Sequence, residues 1–167
     1  MAMRQLTKQQ RREMEADLPK AARDMAHGIM RTLGELPSGA LLALTPGGAL
    51  IESVPLPQDF RLRTAVAEAC RSTLLAEKAT AYAISLEMWL RRVAKEDLNK
   101  PAGNFGAMPD STECVLICGQ TPAGSFAIRH DIVRSADGKF HRLQPSGEQM
   151  DGFTGIWTDL LYRQQAS

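Results

Sequence analysis

The sequence predicts an α+β fold: a two-layer sandwich in which a mostly antiparallel sheet of about five to six strands carries helices on one face. Three observations lead there. Apolar residues recur at helical spacing in separate blocks, period-two alternation fills the stretches between them, and consecutive strands are joined by short turns. Parallel strands would need a crossover of a dozen or more residues, so short turns mean antiparallel pairing.

Thr7 followed by Gln10 reads as a capping box opening a helix over Lys8–Asp17. That stretch is polar nearly all round, interrupted only by Met14 and Ala16, so residues 1–17 are expected to be a polar helical extension of a single α+β domain, 18–167. Leu18, Ala22, Met25, Ala26, Ile29, Met30 and Leu33 then fall on one helical face. Pro19 suits the first turn and Gly34 the C-cap, which bounds this helix at Leu18 and Leu33. Gly28 lies inside it at a cost of up to ~1 kcal/mol relative to Ala, so it is read as letting another element approach closely.

Ala40–Thr45 and Ala49–Val54 read as a hairpin closed at Pro46-Gly47, with Pro55 and Pro57 stopping the second strand. Asp59 caps a helix over 60–78 whose stripe is Leu62, Val66, Ala69, Thr73 and Leu74, with Cys70 beside it. Residues 79–93 switch to period two and form a half-buried strand. The stretch 95–111, with Pro101, Gly103, Asn104, Gly106 and Pro109, is a long loop. A meander follows: Thr112–Gln120, Ser125–Arg134 and Lys139–Leu143, the last turn made by Asp137-Gly138. Gln144–Gly152 reads as a loop, and Phe153, Ile156, Trp157, Leu160 and Leu161 as the stripe of a C-terminal helix.

Composition narrows the function classes. With 44% apolar and 23% charged residues over 167 positions, the chain can bury an ordinary core, which excludes wholesale disorder. The net charge is +1, so nucleic-acid binding is not indicated by bulk charge. The N-terminal region is the most basic part, which leaves nucleic-acid association as a weaker expectation testable by its salt dependence. The chain opens on polar residues with no secretory signal, and no apolar run is long enough for a bilayer. Its cysteines, Cys70, Cys114 and Cys118, are odd in number. A cytoplasmic protein without membrane contact is expected. Cys114 and Cys118 are four apart on a strand, roughly 13 Å by strand rise, which excludes a mutual disulfide and suits buried structural thiols. With no C-x-x-C, Walker, G-x-G-x-x-G or H-E-x-x-H sequence, no cofactor and no metal are expected.

The best constellation for chemistry is Glu113, His130 and His141, with Arg134 as an anion holder. If Gln120 faces Ser125 and Ala136 faces Lys139, then Val115 faces His130, Arg134 faces His141 and Ile132 faces Leu143. Alternation then points all four polar groups to one face. A carboxylate, two imidazoles and a guanidinium within reach could perform acid–base work or bind an oxyanion, and two His with one Glu could also ligate a metal. The same face carries Val115, Ile117, Ile128 and Ile132, so its middle is core, and a one-residue slip would scatter the cluster. Arg129-His130-Asp131 superficially resembles the adjacent His-Asp pair of metal phosphohydrolases, which needs further His and Asp ligands on helices, whereas here the pair sits on an expected strand and the third histidine, His27, on the N-terminal helix. Between Trp89 and Leu143, a Trp-bearing strand, a proline-rich loop and an acidic residue opening a meander resemble small bacterial and phage proteins; the resemblance implies no activity and carries over no residue.

The leading expectation is therefore a non-enzymatic interaction or accessory protein, of the kind found in phages and mobile elements, that binds a protein partner or self-associates. The alternative is a small hydrolase or nuclease built on Glu113, His130 and His141.

Overall fold

In the computed structural model, which describes residues 2–90, 96, 111–149 and 155–161, the chain opens with strand β1 (Ala2–Arg4) and helices α1 (Lys8–Ala16) and α2 (Leu18–Leu33). The hairpin β2 (Gly39–Thr45) and β3 (Gly48–Val54) follows, then helix α3 (Phe60–Ala76) and strand β4 (Ala81–Leu90). The meander is β5 (Thr112–Thr121), β6 (Gly124–Arg134) and β7 (Phe140–Gln149). All pairings are antiparallel, and the sheet order is β1-β3-β2-β4-β5-β6-β7.

The helix ends follow their local chemistry. Thr7 Oγ1 accepts from Gln10 N at 3.1 Å and Gln10 Oε1 from Thr7 N at 3.0 Å, completing the capping box. Asp17 caps α2 through Lys20 N, Gly34 closes it at φ 81°, and Asp59 caps α3 through Arg61 N and Leu62 N.

The α+β class and antiparallel sheet are as expected; three details differ. Among the described residues the strands number seven rather than five to six. The added strand, β1, is three exposed residues paired to β3 (Ala2 with Ile51, Arg4 with Ala49), too short to show alternation in sequence. Arg11 also donates to Thr45 O, and Leu6 and Met14 pack on the α2 side of the sheet, so the polar N-terminal residues are joined to it. β7 runs on to Gln149, where a loop was expected from Gln144; as an edge strand it tolerates Pro145, whose missing N–H faces no partner strand.

The third difference is that the helices divide between the two faces instead of covering one. Ala81 and Ala83 of β4 join Leu42 and Leu44 beneath Ala22, Ala26 and Met30 of α2. Tyr82, Ile84 and Leu86 join Leu41 and Ala43 beneath Ala67, Cys70 and Leu74 of α3. All seven residues of β2 are buried, as are Ala81 through Leu86 of β4. Strands apolar on both faces must be covered on both.

On α3 the buried stripe is Ala67, Cys70 and Leu74. Leu62 and Ala69, expected inward, are exposed, Leu62 by 57%. Apolar residues lie on both sides of this helix, so spacing alone does not choose the inner one.

The expected C-terminal helix is not formed over 155–161; Phe153 lies outside the described residues, as does the loop expected over 95–111 apart from Glu96 and Ser111. Residues 155–161 make a turn with Trp157, Leu160 and Leu161 buried against the α3 side. Side chains satisfy its main chain in place of helical bonds. Tyr82 Oη donates to Trp157 O at 2.7 Å and accepts from Leu160 N at 3.0 Å, and Gln120 Oε1 accepts from Leu161 N at 2.9 Å.

Gly28, expected at a close approach, has nothing within 4 Å of where a Cβ would stand. Close approaches are instead at Gly119, where a Cβ would lie 2.0 Å from Tyr82 O, and at Gly48, where it would lie 2.2 Å from Arg4 O.

Candidate functional site

The β5–β6 register is the expected one, with Gln120 opposite Ser125 and Val115 opposite His130. β6 and β7 also pair as expected at Ile132 and Leu143, but the register shifts between Val133 and Arg134 and places Phe140, not His141, opposite Arg134. The cause is the turn. Ser135 N bonds Lys139 O, Gly138 N bonds Ser135 O, and Gly138 stands at φ 81°. This is a three-residue loop ending in a left-handed glycine rather than a two-residue Asp-Gly turn, and its bulge takes up one residue of β7. Phe140 turns inward to meet His27 edge-on, with ring centroids 5.3 Å apart, and His141 is left exposed.

Of the expected site residues, Glu113 and Arg134 are brought together. Arg134 Nε donates to Glu113 Oε2 at 2.8 Å and its Nη2 to Oε1, a two-pronged ion pair. Arg134 Nη1 also donates to Gly34 O at 3.1 Å, the cap of α2. Glu87 of β4 completes the cluster; sequence reading missed it. Its Oε2 accepts from Leu36 N at 2.7 Å, and it shares a hydrogen bond with Glu113. Burial pushes the Glu87 carboxyl up from its ordinary value, with the Glu113 charge adding to the push. The Arg134 guanidinium holds Glu113 below the ordinary carboxylate value against its own burial. A sequence signal for Glu87 exists in its strand phase: Ala81, Ala83 and Ser85 precede it at every second position, a run of small residues that suits a helix lying close above.

His130 stands apart from this group. It is 5% exposed, its Nδ1 has no hydrogen-bond partner, and burial with the Arg23 charge of α2 holds its pKa below the ordinary value. Neither Glu113 nor Glu87 is among the groups acting on it. Asp131, its neighbour, pairs with Cys114 on the opposite face and binds Arg129 at 2.8 Å, so the His130-Asp131 pair is split by the sheet. Among the described residues no group of three or more His, Cys, Asp or Glu is placed to hold a metal. The three cysteines are free and buried; burial pushes Cys70 and Cys114 up to about 11 and Cys118 up to about 12, so none offers a thiolate near neutral pH.

The arrangement is a clamp more than a pocket. Four groups from four parts of the chain (Leu36 N, Glu87, Glu113 and Arg134) satisfy one another and bolt the end of α2 to the sheet. A separate concave feature lies on the α3 side, where a groove of about 540 Å³ runs between Leu56, Leu86, Met88, Leu116 and Trp157.

Among the described residues, no helix is long and apolar enough to cross a membrane. Compared with known proteins, the chain matches no family model, no curated protein and no solved structure.

Proposed function

We propose that the chain is a non-enzymatic binding protein that engages a protein partner through the outer surface of α3. One observation carries this reading: α3 carries large apolar residues on its outer side as well as on the side that faces the sheet. Ala67, Cys70 and Leu74 face the sheet, while Phe60, Leu62 and Leu75 are 67%, 57% and 52% exposed, with Ala65, Ala69 and Ala76 exposed among them. Arg61, Glu68 and Ser72 also lie on this side, but several large apolar residues exposed on one helix mark a contact surface. The contrast with α2, whose Leu18, Ala22, Ala26 and Met30 face the sheet while charged Lys20, Asp24 and Arg31 lie away from it, sharpens the point.

The test is a photo-crosslinking side chain at position 62, with one at exposed position 12 of α1 as control, in the protein's own cells. Discrete adducts at 62 that vanish with Leu75→Glu support the reading. Equal yields at both positions would count against it.

The alternative, a small hydrolase or nuclease, keeps one observation in its favour. Glu87 and Glu113 touch, and their environments drive their proton affinities apart, as acid–base pairs require. It expects Glu87→Gln to abolish a hydrolytic activity while the fold survives.

A further inference from the structure

Arg63 of α3 borders the groove on the α3 side. Its Nε donates to Pro57 O at 2.6 Å and its Nη2 to Gln58 O at 2.8 Å, both neutral carbonyls. Among the described residues Nη1 donates to no group and no carboxylate lies within ion-pair distance of the guanidinium. The two half-buried arginines of β6 behave otherwise. Arg129 holds Asp131 at 2.8 Å and Arg134 holds Glu113 at 2.5 Å. Arg63 is half-buried too, but among the described residues no acid is paired with it.

Fixing a guanidinium with two main-chain carbonyls pre-orders it, and partial burial strips some of the water that would otherwise solvate its charge. An anion arriving at its free edge is therefore favoured. Next to that edge lies an apolar wall formed by Leu56, Leu86, Met88, Leu116 and Trp157, enclosing about 540 Å³. That size is ordinary for a small-molecule site. Glu87 also borders the groove, but its carboxyl is engaged with Leu36 N and Glu113 on the α2 side, so it does not cancel the Arg63 charge.

We propose that this groove binds an apolar carboxylate, its hydrocarbon body against Leu56, Met88, Leu116 and Trp157 and its carboxylate on Nη1 of Arg63. The inference does not rest on the α3 partner surface: a protein that is monomeric and without partners would still bind such a molecule.

The chain's two tryptophans are Trp89 and Trp157, so Trp89→Phe leaves a single fluorophore in the groove wall. Titrating that variant with dodecanoate below its micelle concentration should give a saturable change in Trp157 emission. Dodecanol, the same chain without the charge, should bind about ten- to a hundredfold more weakly, the worth of hydrogen bonds to a charged group. Arg63→Met, which keeps the apolar stem, should weaken dodecanoate by the same factor and leave dodecanol unchanged. If that variant does not fold, the comparison of dodecanoate, dodecanol and dodecylammonium on protein with Arg63 intact decides alone. Absence of a saturable change, or equal binding of the carboxylate and either other probe, would overturn the proposal.

Discussion

Arg134 and Glu113 meet side by side, the guanidinium's Nε and Nη2 each donating to its own carboxylate oxygen. The pair joins β6 to β5, and because Arg134 Nη1 also reaches Gly34 O, it ties the end of α2 to the sheet. With a longer bond from Nη1 to Gly138 O at 3.4 Å, four charge-assisted bonds converge on one side chain, which stabilises far more than an exposed ion pair would.

Arg134→Met should therefore cost about 2–3 kcal/mol in urea unfolding, the range for losing hydrogen bonds to charged groups and stranding a half-buried carboxylate. Adding Glu113→Gln to it should recover part of the loss, since the stranded charge is then gone. Amide exchange at Leu36 should rise in Arg134→Met before exchange in β4 does.

Glu87 sets a pH dependence of opposite sign to that of its neighbour. Its folded pKa is raised above 4.5, so the native state holds the proton more tightly than the unfolded chain. Its contribution is full below 4.5 and is lost as pH rises through the raised value. Glu113, lowered from 4.5, contributes above that value and loses its contribution as pH falls. Glu87→Gln keeps an acceptor for Leu36 N but cannot ionise. Its stability relative to the wild type should increase as pH climbs from 4.5, read from unfolding midpoints at a series of pH values.

His130 acts on the acid side of neutrality. Its folded pKa is depressed below 6.5, first by burial and then by the Arg23 charge, with Asp131 opposing. The unfolded chain takes up a proton near 6.5 and the native state does not, so stability falls as pH drops from 6.5 towards the folded value. His130→Leu removes the titrating ring and its unpartnered Nδ1. The slope of unfolding free energy between pH 7.5 and 5.5 should flatten in that variant.

Two glycines should respond in opposite directions. Gly119→Ala forces a Cβ to 2.0 Å from Tyr82 O at the β4–β5 pairing, where two backbones would have to part. It should destabilise by about 3 kcal/mol or more, or fail to fold. Gly28→Ala meets nothing within 4 Å and lies inside α2, so it should stabilise by about 0.5–1 kcal/mol. Thermal melts of the two variants separate the cases.

These residues show where sequence reading succeeds. The helix bounds at Leu18, Leu33 and Asp59 were legible because caps act within a few residues. The β5–β6 register was legible because both the turn and the alternation constrain it. What failed was decided at a distance or by one backbone angle. The left-handed Gly138 shifts β7 by a residue and removes His141 from the cluster, a difference no hydrophobic pattern records. The turn at 155–161 depends on the Tyr82 hydroxyl, 75 residues from its partner Trp157. Two-sided cover of the sheet was visible in part, in the all-buried run of β2, but alternation in β4 pointed to one apolar face. Glu87 was hidden for the same reason, placed on a face taken to be solvent.

Binding through the outer face of α3, as proposed, is tested most directly by the native mass of the chain. Sized under native conditions in an extract of its own cells, the 18.3 kDa chain should run in a larger assembly, and Leu62→Glu with Leu75→Glu should return it to the monomer with its fold and melting point intact. A monomer in both cases, or an assembly indifferent to the two glutamates, would contradict the account.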